Sequence, residues 1–227
     1  MPSLLVLIHT VPPLIGMFDR LTAQILPGVK VKHILDEPLL EAIRLRGRAA
    51  SEDGERLLGH ARQAERIGAQ AVLVTCSTTS PLVDQIQAKV SIPVFKIDQA
   101  MIELAVRLGV RLGVLATNRT TLEPTRQMLL AQAAKTGKKI DYEERYIEGA
   151  LDALLKGQAE LHDRLVHNAI REIRPTVDVV VLAQASMARA LETGAVPVEG
   201  APVLSSPYLA LEHISQIFQT KSLLKRT

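Results

Sequence analysis

The sequence predicts an α/β protein of two pseudo-symmetric, Rossmann-like domains with parallel sheets and a cleft between them. Three observations carry this. Short, nearly continuous apolar runs alternate with amphipathic stretches at helical spacing, the pattern of parallel strands covered by helices on both faces. The layout of residues 65–78, a helix end, a turn, a buried run and then small polar residues, returns at 172–187, and residues 4–10 resemble 112–118. The 227 residues are 47% hydrophobic but only 3% aromatic, with no Trp, so the core is aliphatic and the length admits one domain or two small ones of about 100 residues each.

In chain order, residues 4–8, 71–75, 112–116 and 177–183 are the strong strand candidates, and 29–35, 93–97, 140–146 and 202–205 the weaker ones. Residues 50–67 read as a helix with Ser51 as its N-cap and Gly68 as the residue that ends it, since glycine tolerates the left-handed conformation just past a helix. Residues 120–134 and 162–173 read as two more helices. The repeat divides the chain into a first domain of residues 1–97 plus 206–227, with the last helix returning to it, and a second of 98–205.

Charge excludes little but points away from nucleic acid. Lys and Arg number 27 against 24 Asp and Glu, a net +3. The basic clusters, Arg44, Arg46 and Arg48 and then Lys221, Lys225 and Arg226, come without the aromatic platform that single strands stack on. The single cysteine cannot build a disulfide framework or a thiolate metal site and suits a reducing compartment. The opening apolar run is too short for a signal peptide and no stretch reaches the ~20 apolar residues of a membrane helix. A cytoplasmic protein is expected, with no cofactor, no metal and no membrane partner.

Ligands of open α/β sheets bind beyond the carboxyl ends of the strands. Those ends carry His9 and Thr10, then Asp36, then Cys76, Ser77 and Thr78, then Thr117, Thr120 and Thr121, and last Gln184 and Ser186. Hydroxyls and free backbone N–H groups at helix starts bind carboxylates and phosphates. A thiol at a helix start is favoured as thiolate, so Cys76 is the candidate reactive group, and the alternative is a small buried apolar residue. His9 is an acid, a base or a substrate contact, or else a structural histidine. The threonines and serines are ligand donors or plain helix caps. No GxGxxG or GxxxxGK[ST] spacing is present, so no nucleotide loop is expected.

The segments Val72-Leu-Val-Thr-Cys-Ser-Thr-Thr79 and Leu112-Gly-Val-Leu-Ala-Thr-Asn-Arg-Thr-Thr121 resemble the aspartate/glutamate/hydantoin racemase superfamily, and the likeness spans most of the chain. It implies a racemase-like pair of α/β domains, a cofactor-independent reaction at the carbon α to a small carboxylate, and a homodimer or higher homo-oligomer. In the superfamily two cysteines face each other across the substrate, one removing the α-proton and the other returning it. Cys76 matches the first. Ser77 and Thr78 match carboxylate-binding residues, and Thr117, Thr120 and Thr121 a second hydroxyl set. The late motif departs from the pattern. It reads Leu182-Ala-Gln-Ala-Ser-Met187, with Gln184 where the second cysteine stands. Superfamily members with one cysteine include decarboxylases, which keep the late cysteine rather than the early one. A racemase or isomerase, a single-cysteine lyase and a non-catalytic carboxylate-binding protein on the same fold are therefore the three readings.

Overall fold

A computed structural model describes residues 3–192 and 199–224. The first half runs β1 (Leu4–His9), α1 (Leu14–Ile25), β2 (Lys30–Leu35), α2 (Glu37–Arg46), α3 (Ser51–Arg66), β3 (Ala71–Val74), α4 (Val83–Gln87) and β4 (Val94–Lys96). The second runs α5 (Gln99–Leu108), β5 (Arg111–Ala116), α6 (Leu122–Thr136), β6 (Asp141–Tyr146), α7 (Ala150–Leu155), α8 (Ala159–Ile173), β7 (Val179–Leu182), α9 (Ala188–Glu192), β8 (Val203–Ser205) and α10 (Ser206–Leu224). Two four-stranded sheets result, ordered β2-β1-β3-β4 and β6-β5-β7-β8, and every pairing is parallel. The same order in both sheets is the internal repeat seen in the sequence.

Burial explains why some strands are easy to read and others not. The central strands β1, β3, β5 and β7 are buried along nearly their whole length, because helices cover both faces. The edge strands β2 and β6 mix exposed and half-buried positions, so their sequences carry polar residues. Each sheet has a core on either face. Leu5, Leu7 and Leu73 pack with Phe18 of α1 and with Leu211 and Ile214 of α10, so α10 returns to the first sheet. Val6, Ile8, Val72 and Val74 pack with Leu57 and Leu58 of α3. Fully burying each such side chain stabilises the fold by about 1.5–3 kcal/mol.

Two glycines have geometric roles. Gly68 ends the α3 region with φ +81, as its place in the sequence predicts. A Cβ on Gly113 of β5 would meet Ile173 of α8 at 2.8 Å, so α8 sits closer to the sheet than any side chain there allows.

Two capping expectations are corrected. Ser51 is the first residue of α3, not its cap; the Asp53 carboxylate accepts from the Ala50 N–H at 2.7 Å and closes the helix start instead. Residues 119–121 form a 3₁₀ turn before α6, and the Asn118 side chain, not a threonine, accepts from Thr120 N–H at 3.3 Å. Of the second basic cluster, Lys225 and Arg226 lie outside the described residues, as does the Lys221 side chain. Among the described residues no helix is long and apolar enough to cross a membrane.

Candidate functional site

The carboxyl ends of β1, β3, β5 and β7 converge on one pocket between the two sheets. The first half lines it with Thr10, Thr75, Cys76, Ser77 and Thr78, and the second with Asn118, Thr121, Gln184 and Ser186. Val11, Leu14, Leu40, Leu151 and Ala185 complete the wall. The halves touch directly here: Thr78 Oγ1 lies 3.0 Å from Thr121 Oγ1 and 3.4 Å from Thr120 Oγ1.

Cys76 and Gln184 occupy equivalent places. Each follows the third strand of its sheet in extended backbone and immediately precedes a 3₁₀ helix, Ser77–Leu82 for Cys76 and Ala185–Met187 for Gln184. A short 3₁₀ helix presents unpaired N–H groups but a smaller dipole than the long helix the sequence suggests. Cys76 is buried, at 8% exposure. Gln184 is fixed by its side-chain amide. Its Oε1 accepts from the Thr117 N–H at 2.7 Å and from the Thr117 hydroxyl at 3.3 Å, while Nε2 points at the Asn118 carbonyl oxygen 3.5 Å away. The N–H that must donate to Oε1 fixes which way the amide faces.

Ser77 lines the pocket with a buried hydroxyl that has no partner in bonding geometry. Behind it Asp98, fully buried where the chain enters α5, has Ser80 Oγ within 2.8 and 2.9 Å of its two oxygens. Burial raises the Asp98 pKa to about 6, outweighing the Ser80 hydrogen bond, its own backbone N–H, the charge of Lys96 and the nearby Ser77 hydroxyl, which all lower it.

Several expected site residues lie elsewhere. His9 is fully buried and does not line the pocket. Its Nδ1 sits 2.9 Å from Thr75 Oγ1, whose own proton goes to the Ile8 carbonyl at 2.9 Å. Nδ1 must therefore donate, which leaves Nε2 as the acceptor from His33 Nδ1 at 2.8 Å. His33 Nε2 in turn donates to Asp19 Oδ1 at 3.0 Å. All four bonds coexist only if His9 Nε2 carries no proton. Burial, with the charge of His33, lowers the His9 pKa to about 3, so His9 is no acid at neutral pH. Asp36 is corrected too. Its carboxylate caps α2 through the Leu39 N–H at 3.2 Å, takes both Arg56 donors at 2.6 Å and accepts from His60 at 2.7 Å. Burial opposes its charge, but the Arg56 and His60 hydrogen bonds prevail and lower its pKa. Thr117 and Thr120 stand just behind the wall, one holding Gln184 and the other near Thr78.

Asn118, Asp98 and the aliphatic wall are the features the strand-end pattern misses. Asn118 is flanked by two expected residues, so its place was a usable signal. Asp98 carried none, because its place is set by Ser80, 18 residues earlier, whose hydroxyl donates to it only in the folded chain. Among the described residues no group of three His, Cys, Asp or Glu side chains is placed to hold a metal ion.

The sequence profile of the Asp/Glu/Hydantoin racemase family matches residues 16–214. No curated protein matches the sequence. Among solved structures the chain is similar to the glutamate racemase of Thermus thermophilus in complex with Beta-chloro-D-alanine, with TM-score 0.74 and 14% identity over 98% of this chain and 82% of that one. It is also similar to the aspartate racemase of Picrophilus torridus, with TM-score 0.71 and 13% identity over 94% of each chain. The allantoin racemase of Klebsiella pneumoniae matches with TM-score 0.68 and 15% identity over 96% of this chain and 89% of that one. At such identities the likeness is one of fold.

Proposed function

Because the chain belongs to the Asp/Glu/hydantoin racemase family, we propose that it is a cofactor-independent isomerase acting at the carbon α to a small carboxylate, with Cys76 as its acid/base. The observation that supports this is the placement of the sole cysteine among neutral hydroxyl and amide donors at the meeting of four strand ends.

Removing a proton α to a carboxylate builds enediolate charge, which preaimed donors stabilise; removing one such donor typically costs about 10²–10³ in rate. Ser77 fits this use, since its buried hydroxyl makes no well-formed bond, lying only near Asp98, and can turn to an arriving oxyanion. Thr10, Thr78, Thr121 and Ser186 face the same space. In the neutral thiol state Cys76 donates, and as thiolate it accepts; groups in this role contribute roughly 10²–10⁴.

The opposite side lacks a matching group. The Gln184 amide neither gives nor takes a proton at useful pH, and neither His9 nor Asp36 reaches the pocket to replace it. Cys76 therefore serves one face, and inversion requires water to deliver the proton from the other. The same observation favours a second reading, a lyase in which loss of carbon dioxide leaves a carbanion that Cys76 protonates. Solvent-deuterium exchange at Cα, over a panel of amino, hydroxy and unsubstituted carboxylates, tests both. Exchange accompanied by loss of optical activity, both abolished by Cys76→Ala, supports the isomerase; carbon dioxide release from an α-carboxylated substrate supports the lyase. Exchange into none of the panel, with Cys76→Ala behaving identically, contradicts the isomerase. Carboxylate-induced thermal stabilisation without turnover, surviving Cys76→Ser, would instead indicate a binding protein.

A further inference from the structure

We infer that the pocket selects a carboxylate whose α-substituent is uncharged and apolar, and rejects dicarboxylates such as aspartate and glutamate. The inference rests on the reading of the pocket as an α-carboxylate site.

None of the 14 residues lining the pocket is Lys, Arg, His, Asp or Glu. The neutral donors gathered around Cys76 suffice for one carboxylate. A second carboxylate would have no cation to meet, and the remaining wall offers it Leu14, Leu40 and Leu151. The cations nearby are engaged elsewhere. Arg119, in the turn between Thr117 and Thr121, lies over the Tyr146 ring at 4.1 Å. Arg20 and Arg189 line a neighbouring recess that shares Leu14 and Ser186 with the pocket. Arg20 is paired with Glu192 at 3.4 Å, and Arg189 donates twice to Asp163, at 2.8 and 3.0 Å. Asp98, buried behind Ser77 and Ser80, adds a charge of the substrate's own sign. An unpaired carboxylate pressed onto aliphatic side chains loses its hydration with nothing in return, whereas an apolar group of the same shape gains from leaving water.

The test uses matched pairs in which an isopropyl group replaces the distal carboxylate: leucine against aspartate, and 2-hydroxy-4-methylpentanoate against malate. Cys76 is the only cysteine, so its alkylation by iodoacetamide reports pocket occupancy whether or not turnover follows. The apolar member of a pair is expected to protect Cys76 at a concentration at least about 100-fold lower than its dicarboxylate partner. Where exchange occurs, it should show the same preference in kcat/KM. Protection by aspartate or malate at equal or lower concentration than its partner overturns the inference, as does protection by neither member of either pair. Apolar protection without any deuterium exchange would instead count against the proton-transfer reading and leave the specificity standing.

Discussion

The two halves share one backbone plan and differ in what they place at its centre. After β3 the chain presents Cys76; after β7, in the same extended conformation and at the same point before a 3₁₀ helix, it presents Gln184. Beyond β4 the chain places a buried acid, Asp98, held by Ser80; beyond β8 it places Ser206, which is buried with an unpartnered hydroxyl. The Cys76 side chain hangs on no hydrogen bond in the structure, whereas Gln184 is tied down by Thr117. Repeating a fold repeats the position of a site. It does not repeat the chemistry, which needs one group with an exchangeable proton and one set of fixed donors.

The largest expected effect separates the two positions directly. Cys76→Ala should lower Cα exchange by about 10²–10⁴, while Gln184→Ala should cost about tenfold or less, because only positioning is lost. Steady-state deuterium incorporation, with circular dichroism to confirm folding, measures both. Equal losses would break the comparison.

Ser77→Ala sharpens it next. The hydroxyl makes no well-formed bond and only helps to lower the Asp98 pKa, so the stability change should be under about 1 kcal/mol while the rate falls by about 10²-fold. Denaturant unfolding alongside kinetics reads the two quantities separately, and a parallel loss of both would place Ser77 in the structural framework instead.

The buried acid Asp98 should be visible in stability against pH. The folded pKa of Asp98, about 6, lies above its ordinary value of 3.8. Its favourable contribution is therefore complete below about pH 3.8 and is lost as pH rises through about 6. Relative to Asp98→Asn, the natural chain should lose up to roughly 3 kcal/mol between pH 4 and 7. His9 acts with the opposite sign. Its folded pKa, about 3, lies below 6.5, so its contribution is present above pH 6.5 and lost as pH falls towards 3. Urea titrations of the chain with Asp98→Asn and with His9→Gln, at several pH values, should flatten opposite limbs of the profile.

The smallest effect concerns the tether of Gln184. Gln184→Cys leaves the Thr117 N–H without its acceptor, which should destabilise the fold by about 1–3 kcal/mol, and supplies a thiol opposite Cys76. Epimerisation faster than that of the natural chain would show that the group at position 184 limits protonation of the second face.

All eight strands were legible in the sequence, the central four because burial on both faces leaves continuous apolar runs, and the edges less clearly because β2 and β6 carry exposed polar positions. The 3₁₀ turns were not, since Ser77–Leu82 carries no helical periodicity. Around the pocket, the hydroxyl and thiol positions followed from one rule about strand ends. That rule fails for Asp36, whose partners Arg56 and His60 stand 20 and 24 residues further on, and for His9, whose burial and link to His33 arise only once β1 and β2 pair. No sequence pattern announces the wall of Leu14, Leu40 and Leu151, because three separate elements bring these residues together.

The claim that Cys76 moves the proton on one face while water serves the other is tested most directly in deuterium oxide with an enantiopure carboxylate that exchanges. The account predicts that deuterium enters Cα faster than optical activity is lost, and that Cys76→Ala abolishes both. Racemisation as fast as incorporation from the first turnovers, or incorporation that survives Cys76→Ala, would contradict it.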